Sequence, residues 1–466
     1  MRLNPLDAVW LLLESRDTPM HVGTLAIFSK PAKAPKSYLQ DLIVSLRAHK
    51  EPAPPWNQRL ADPGTRTLSA RLQEERGFDL DYHVRHTALP KPGGERELGV
   101  VVSRLHSEPL DRNRPLWEFH LIEGLERDRF AFYLKIHHAL IDNVNAVPLL
   151  LDSLAATAAA RKIVPFWSRA LELSDGDARS FDVASSLQSL GGSLGDSMET
   201  LSSLGQATRG ALHDYLRRDG QGSFLLPRGT PRSTLNRRIN SQRRFATQQF
   251  SLRRIAALAE RADCTVNTLL AYLCGSSLRR FFKEYNALPD ESLIAALPVS
   301  LQERSELLPG NAIAGLRVAL GTHIGDPLER LQAVKLAMQE VRQDRESLPD
   351  AAAVPYIMMR SAPVYASQVP LLGRFVPPLF NLSVSNTPGS NTARYCAGAR
   401  LEAIYPMNPL FQYSALSIDC VNYAGSLNIG FTGARDTLPH LQRLAVYTGL
   451  AVDDLEQLLG KRRRSA

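Results

Sequence analysis

The stretch FAFYLKIHHALIDN, residues 130 to 143, decides how this chain is read. Phe130, Phe132, Leu134 and Ile136 alternate with Ala131, Tyr133 and Lys135, the period-two pattern of a strand with one strongly apolar face. The strand delivers His137 and His138, then Ala-Leu-Ile, then Asp142 and Asn143, and runs on into NVNAVPLLLDSLAA, which reads as a helix. Titratable groups placed where a packed strand becomes a helix are held firmly and can still face a cleft. An imidazole has an unperturbed pKa near 6.5 and serves as a neutral base around neutral pH. A satisfied structural histidine beside a turn aspartate is the competing reading, and two adjacent histidines with a nearby aspartate weigh against it.

Working outward, WEFHLIEGL (117–125) reads as a second strand and GLERDR as a hairpin turn, so the two strands are expected side by side and antiparallel. Before them come an apolar helical stretch with Leu6, Val9, Trp10 and Leu13, Asp7 as its candidate cap, the turn DTPM, and a strand HVGTLAIF entered at His21. A helix is expected over 36–50, a proline-rich connection in PAPPWNQRL, and a helix over 97–110. Phe78 to His86, with Asp79, His83 and His86, reads as an edge strand or solvated surface.

From about 168 to 222 serine, glycine, aspartate and alanine dominate, which marks an inter-domain segment. A basic run follows, with Arg228, Arg232, Arg237, Arg238, Arg243 and Arg244, either a solvated face or a surface for a phosphate-rich ligand. Beyond it strands (RRFATQQFSL, LIAALPVSL, NAIAGLRVALG, ALSIDCVNYAG, SLNIGFTG) alternate with helices, including 327–345 and 437–459. A broken apolar region at 352–380 suits a lipid-facing surface, an acyl channel or an interior helix pair. The expected layout is α/β in two domains: 1–167, a linker at 168–227, 228–459, and a disordered basic tail at 460–466.

At 466 residues the chain is too long for one ordinary core, and 44% hydrophobic with 22% charged residues is the balance of a folded protein. The net charge of +8 suits anionic ligands and anionic membrane surfaces. The arginines are scattered with no zinc-finger, helicase or RNP pattern, so nucleic acid is not an expected partner. Cys264, Cys274, Cys396 and Cys420 lack metal-site spacing and read as free thiols, with no metal expected. Mean hydropathy is −0.18, no run approaches the ~20 apolar residues of a membrane span, and the start lacks signal-peptide features. A cytoplasmic location is therefore expected.

His138 is the better candidate base; strand parity alone does not separate it from His137. Asp142 either orients a ring or anchors the turn, with the anchoring role favoured. No GxSxG elbow or evident cysteine nucleophile accompanies the pair, which favours direct transfer over a covalent acyl-enzyme.

His137-His138-Ala-Leu-Ile-Asp142 resembles the HHxxxDG motif of CoA-dependent acyltransferases, including the condensation domains of peptide synthetases. NPLDAVWLLLE, PMHVGTLAIF, RPLWEFHLIEGL, SQRRFA, the TVN helix start, NLSVSNTPG and LEAIYPMNPL resemble, in order, blocks of the bacterial wax ester synthase/diacylglycerol acyltransferase family over about residues 3–458. The resemblance implies two chloramphenicol-acetyltransferase-like domains, mixed sheets flanked by helices, with an active-site channel between them. It implies fatty acyl-CoA as co-substrate, a long-chain alcohol or diacylglycerol as acceptor, no permanently bound cofactor, and peripheral contact with the inner membrane face or lipid inclusions. His138 would be the general base, with His137 and Asp142 shaping the site. Pro115, Leu116 and Trp117 match the family's PLW block and are expected to pack beside the motif. Asn267 matches the asparagine of an ND pair and is a candidate oxyanion or pocket donor. Ser385, Asn386, Pro388 and Gly389 match an SNxPG block at the domain junction, and Arg237, Arg238, Arg243 and Arg244 are candidate contacts for CoA phosphates. The sequence departs from the pattern at Asn143, where the family has glycine, and at Thr268, where it has aspartate. Glycine is expected there for a left-handed turn or a close approach, and Asn is the next most tolerant residue. Two rival readings follow: a weakened paralogue acting at lipid surfaces, and a condensation-type acyl or peptidyl transferase.

Overall fold

The computed structural model describes residues 1–64, 68–173, 230–300, 313–346, 364–365, 367–368 and 373–462. Most of the expected linker, most of the region 352–380, Arg228 and the last four residues lie outside the described residues. In chain order the first half contains α1 (Pro5–Leu13), β1 (His21–Ser29), α2 (Tyr38–Arg47), β2 (Gln58–Leu60), β3 (Leu72–Glu74), α3 (Leu80–His83), β4 (Val84–Ala88), α4 (Glu95–Ser107), β5 (Trp117–Leu125), β6 (Arg129–His137) and α5 (Asn143–Asp152). The second contains β7 (Arg243–Ser251), α6 (Leu252–Arg261), α7 (Val266–Glu284), β8 (Ile294–Ser300), β9 (Ile313–Ala319), α8 (Pro327–Glu346), β10 (Leu382–Ser390), β11 (Tyr395–Cys396), β12 (Ala399–Met407), β13 (Leu416–Tyr423), β14 (Ser426–Ala434) and α9 (Leu441–Arg462).

The hairpin expected from the opening stretch is present. β5 and β6 pair antiparallel, Trp117 opposite Ile136, and Arg127 and Asp128 at the turn take φ of 60° and 52°. Two successive left-handed residues give a turn whose twist matches that of the strands. β6 lies at the middle of a six-stranded mixed sheet ordered β11-β12-β1-β6-β5-β4. One face, with Phe28, Phe130, Phe132 and Ile136, packs with Trp117 and Trp167; the other, with Leu25, Ile27 and Tyr133, packs with Leu98, Val102 and Leu105 of α4. A strand covered on both faces has no exposed side to make polar, which is why β6 is buried throughout after Arg129. The second sheet runs β7-β14-β13-β10-β8-β9 and has its own core with α6, α7 and α9.

The two sheets do not divide at residue 228. β11 and β12 come from the second half, yet β12 pairs antiparallel with β1 from Gly23 opposite Met407 to Ser29 opposite Arg400. The chain then returns to its own sheet through Asn408. There Asp419, fully buried on β13, accepts Asn408 N–H (3.2 Å), Asn408 Nδ2 (2.6 Å), Ser385 Oγ (2.7 Å) and Ser417 Oγ (2.9 and 3.0 Å). Burial nonetheless pushes this carboxyl up to about 6, against the pull of those donors. The halves are joined a second time by α4. Ser107 Oγ accepts the Arg243 N–H (2.8 Å) and Ser103 Oγ the Phe245 N–H (2.9 Å), so a helix of the first half satisfies donors on the edge strand β7.

Three local expectations are corrected. Helix α1 begins at Pro5, with Asn4 O accepting the Asp7 and Ala8 N–H groups, so Asp7 is a buried first-turn residue and not the cap. Residues 84–88 do form an edge strand, but His83 before it is buried: its ring stacks against both Phe78 and Trp117 (4.9 and 4.6 Å) with Nδ1 2.7 Å from Trp117 O. Finally α9 continues to Arg462, into what reads as a disordered tail.

Candidate active site

The HHALIDN segment is fixed by backbone bonds before its side chains are considered. His137 N–H donates to Leu116 O, His138 N–H to Met20 O and Leu140 N–H to His137 O, each at 2.9 Å. The motif is thus pinned between the residue preceding β5 and the residue preceding β1. Pro115, Leu116 and Trp117 lie directly beside it, and Trp117, fully buried, donates its indole N–H to Trp56 O at 2.8 Å.

Both imidazoles are buried, and they differ in what surrounds them. His137 Nδ1 accepts the Ala139 N–H at 3.0 Å, which places its proton on Nε2, 3.5 Å from Glu14 Oε1. Glu14 also accepts the Met20 N–H at 3.2 Å. Burial pushes this carboxyl up, but the neighbouring His137, the Met20 N–H and Arg112 pull it further down, so it is held below the usual range and ionised. His138 instead lies flat against Trp10, ring centroids 3.7 Å apart and planes 17° from parallel. Burial drives its pKa down to about 3, assisted by the neighbouring His137. His138 is thus held as a neutral imidazole.

Trp10 and Glu14 are the residues that sequence reasoning missed. Glu14 N–H donates to Trp10 O at 3.1 Å, which carries the helical pattern of α1 one residue on and stacks the two side chains on one face. The signal was the i, i+4 pair in WLLLE; nothing local said that this face meets residues 137 and 138.

Asp142 caps α5, its carboxylate accepting the Asn145 N–H at 2.8 Å; burial raises it to about 6 against that bond and the nearby amides of Asn145 and Val144. Asn143 is the first residue of α5 and therefore right-handed helical, so the left-handed turn expected there does not form; its side chain lies outside the described residues. At α7 the cap is Thr265, which accepts the Thr268 N–H (3.1 Å) and lies 2.9 Å from the Thr268 hydroxyl, so no carboxylate is needed at 268. Asn267, exposed in the first turn of α7, accepts from Asn386 Nδ2 at 2.9 Å. This ties α7 to β10, and β10 packs against α5. Ser385 bonds Asp419, as above. Any side chain at Gly389, beside Pro388, would collide with the Asn422 carbonyl, so the close approach of β10 to β13 requires glycine.

The four arginines do not form one surface. Arg243 is buried, donating to the carbonyls of Asn240 and Asp17, which corrects its reading as a phosphate contact. Arg238 is paired with Asp17 at 3.2 Å and shares a cavity of about 230 Å³ with Asp17 and Asp436, where two carboxylates already offset its charge. Arg244 is half-buried on β7, and Arg237 is exposed. On the α4 side of the first sheet stands a buried ionic group: Lys135 Nζ is 3.0 Å from Glu118, which also faces His120 (3.2 Å) and Arg85 (3.4 Å). Burial alone would raise Glu118, but His120, Lys135 and Arg85 hold it at about 2.

Residues 3–270 match the catalytic-domain model of the wax ester synthase/diacylglycerol acyltransferases, and residues 309–456 match the C-terminal domain model of the same family. A putative diacylglycerol O-acyltransferase of Mycobacterium tuberculosis is 39% identical, with 97% of each chain covered. The wax ester synthase/diacylglycerol acyltransferase of Marinobacter aquaeolei VT8 superposes with a TM-score of 0.80 at 32% identity, covering 99% of this chain and all of that one. The first condensation domain of the calcium-dependent antibiotic synthetase shares the fold alone, with a TM-score of 0.55 at 16% identity, covering 98% of this chain and 96% of that one. The paired mixed sheets, the HHALIDN junction and these likenesses lead to one conclusion: the chain belongs to the wax ester synthase/diacylglycerol acyltransferase family of acyl-CoA-dependent O-acyltransferases.

Proposed function

We propose that this acyltransferase moves a fatty acyl group from acyl-CoA to the hydroxyl of a long-chain alcohol, of diacylglycerol, or of both, with His138 as general base. The observation that carries this reading is the state of His138, an imidazole that burial keeps neutral, lying flat against Trp10 directly after the end of β6. In the proposed sequence Nε2 takes the hydroxyl proton as the oxygen attacks the thioester carbonyl. The tetrahedral intermediate then collapses with cleavage of the C–S bond, and the imidazolium returns its proton to the CoA thiolate. No covalent acyl-enzyme forms. His137, held by Glu14 and the Ala139 N–H, shapes the site without taking the proton, and Asp142 fixes the start of α5.

The acyl and acceptor chains need an apolar path. Val364, Leu379, Phe380 and Tyr413 surround a small cavity bounded by Phe411, whose ring stands 5.9 Å from that of Trp10. That proximity supports a path approaching His138 from the second half. Arg237 and Arg244 remain the candidate contacts for CoA phosphates. Among the described residues no helix is long and apolar enough to cross a membrane; approach to the cytoplasmic membrane face or a lipid inclusion is assigned to basic surface charge and exposed apolar residues such as Phe375. The test is thiol release from palmitoyl-CoA with hexadecanol or dioleoylglycerol, with an acceptor-free control for hydrolysis. His138→Ala should abolish turnover and His137→Ala cost less; normal rates in both would overturn the assignment.

A further inference from the structure

We infer that Trp10 is a positioning residue for the reaction, its indole face stabilising the imidazolium that His138 becomes during acyl transfer. The inference rests on His138 as the base and adds what lets so deeply buried a base accept a proton. Burial disfavours any charge at this position, and a base that resists protonation is a weak one. A π-face at van der Waals distance answers that difficulty. Its quadrupole attracts a cation lying over it, the attraction grows when both groups are desolvated, and it costs little while the imidazole is neutral.

The geometry fits this role in three respects. The 3.7 Å separation and 17° tilt put the whole imidazole over the indole, so charge spread across the ring meets the negative face. Trp10 is itself buried and held on a helix whose next turn carries Glu14, the partner of His137, so α1 governs both histidines. Phe411, from the loop that joins the crossover strand β12 to β13, lies beside Trp10 at 5.9 Å and 40°. Trp10 therefore touches both the base and a residue of the second half of the chain.

The chemistry balances without a further reactant: the hydroxyl proton passes to Nε2 as the new C–O bond forms, and passes to sulfur as the C–S bond breaks. Trp10 exchanges no proton and acts only while the ring is charged. It should therefore alter kcat and its pH dependence, and leave KM nearly unchanged.

Trp10→Leu and Trp10→Phe, compared with wild type and His138→Ala in the palmitoyl-CoA/hexadecanol assay, form the test. Leu should lower kcat by roughly ten- to thirty-fold with KM within about two-fold, and Phe should recover most of the loss. The acid limb of kcat should shift to lower pH in Trp10→Leu, because the imidazolium has lost its support; a packing defect alone would not move that limb. Where Trp10→Leu folds poorly, uniform replacement of tryptophan by 5-fluorotryptophan weakens the π-face with almost no change of shape. It should slow wild-type turnover several-fold and leave Trp10→Phe unaffected. Equal rates for Leu and Phe, an unmoved acid limb in a well-folded Leu variant, or an equal fluorination effect in the Phe background would overturn the inference. Normal turnover in His138→Ala would instead remove the base reading itself.

Discussion

Glu14 Oε1 and His137 Nε2 stand 3.5 Å apart, both buried, with the remaining His137 nitrogen occupied by the Ala139 N–H. The Ala139 N–H sets the His137 tautomer, and the carboxylate faces the N–H that this tautomer presents. Glu14→Gln should keep the packing and weaken the contact, lowering kcat by a few-fold. Glu14→Ala strands a buried N–H, which costs about 1–3 kcal/mol of stability and about ten-fold or more in kcat. Urea midpoints together with turnover numbers test both; unchanged values in Glu14→Ala would show that the pair contributes nothing.

Asp142 makes a prediction about pH. Its folded pKa, raised by burial to about 6, exceeds the unfolded value of 3.8, so the folded state holds its proton more tightly. That contribution to stability is complete below about pH 4 and is lost as pH rises through 6. Asp142→Asn, an equally good cap, should remove this dependence at little cost, and Asp142→Ala should remove it too while lying about 1 kcal/mol below Asp142→Asn at every pH. Denaturation midpoints of the three proteins between pH 4 and 7 distinguish the cases.

The buried histidines act in the opposite direction. His106 is depressed to about 3 and His83 to about 4, in both cases chiefly by burial. Their stabilisation is present above the unfolded value of 6.5 and is lost as pH falls toward 4 and 3, because the unfolded chain takes up protons first. Global stability should fall on acidification below pH 6.5, and His106→Asn should reduce the slope by up to one proton, about 1.4 kcal/mol per pH unit. The same slope in the variant would contradict the assignment.

Lys135 and Glu118 allow a double-mutant cycle. Glu118→Leu alone leaves the buried Lys135 ammonium with only the Leu105 and Glu108 carbonyls and should cost about 3–5 kcal/mol, whereas Lys135→Met leaves Glu118 its contacts with His120 and Arg85 and should cost less. The double variant should cost well under the sum, and additive losses would show that the two do not act as a pair.

What could be read in advance was whatever lies close together in the chain. The β5–β6 hairpin followed from apolar alternation on either side of a turn, and the placing of His137 and His138 at a strand end followed from where that alternation stops. The partners of those histidines could not be read. Trp10 and Glu14 are more than a hundred residues away, brought there by the pairing of β1 with β6, and a hydrophobic pattern identifies strands without choosing their neighbours. Arg243 misled for a related reason: in sequence it is one of a basic run, and only the packing of α4 on β7 shows it turned inward. Asn143 misled through a glycine expectation, where the backbone is an ordinary first helical turn capped by Asp142.

The edge supplied by β12 has a consequence for how the molecule is made. β1 emerges early during synthesis, and β6 can cover one of its sides at once, but the strand that covers the other ends at Met407. At ordinary elongation rates that side waits on the order of tens of seconds. Throughout that interval an apolar strand edge is exposed to other nascent chains. Assembly of the first sheet is thus a late event, and a protein cut in the linker would leave its amino-terminal fragment with an open edge, prone to associate with copies of itself.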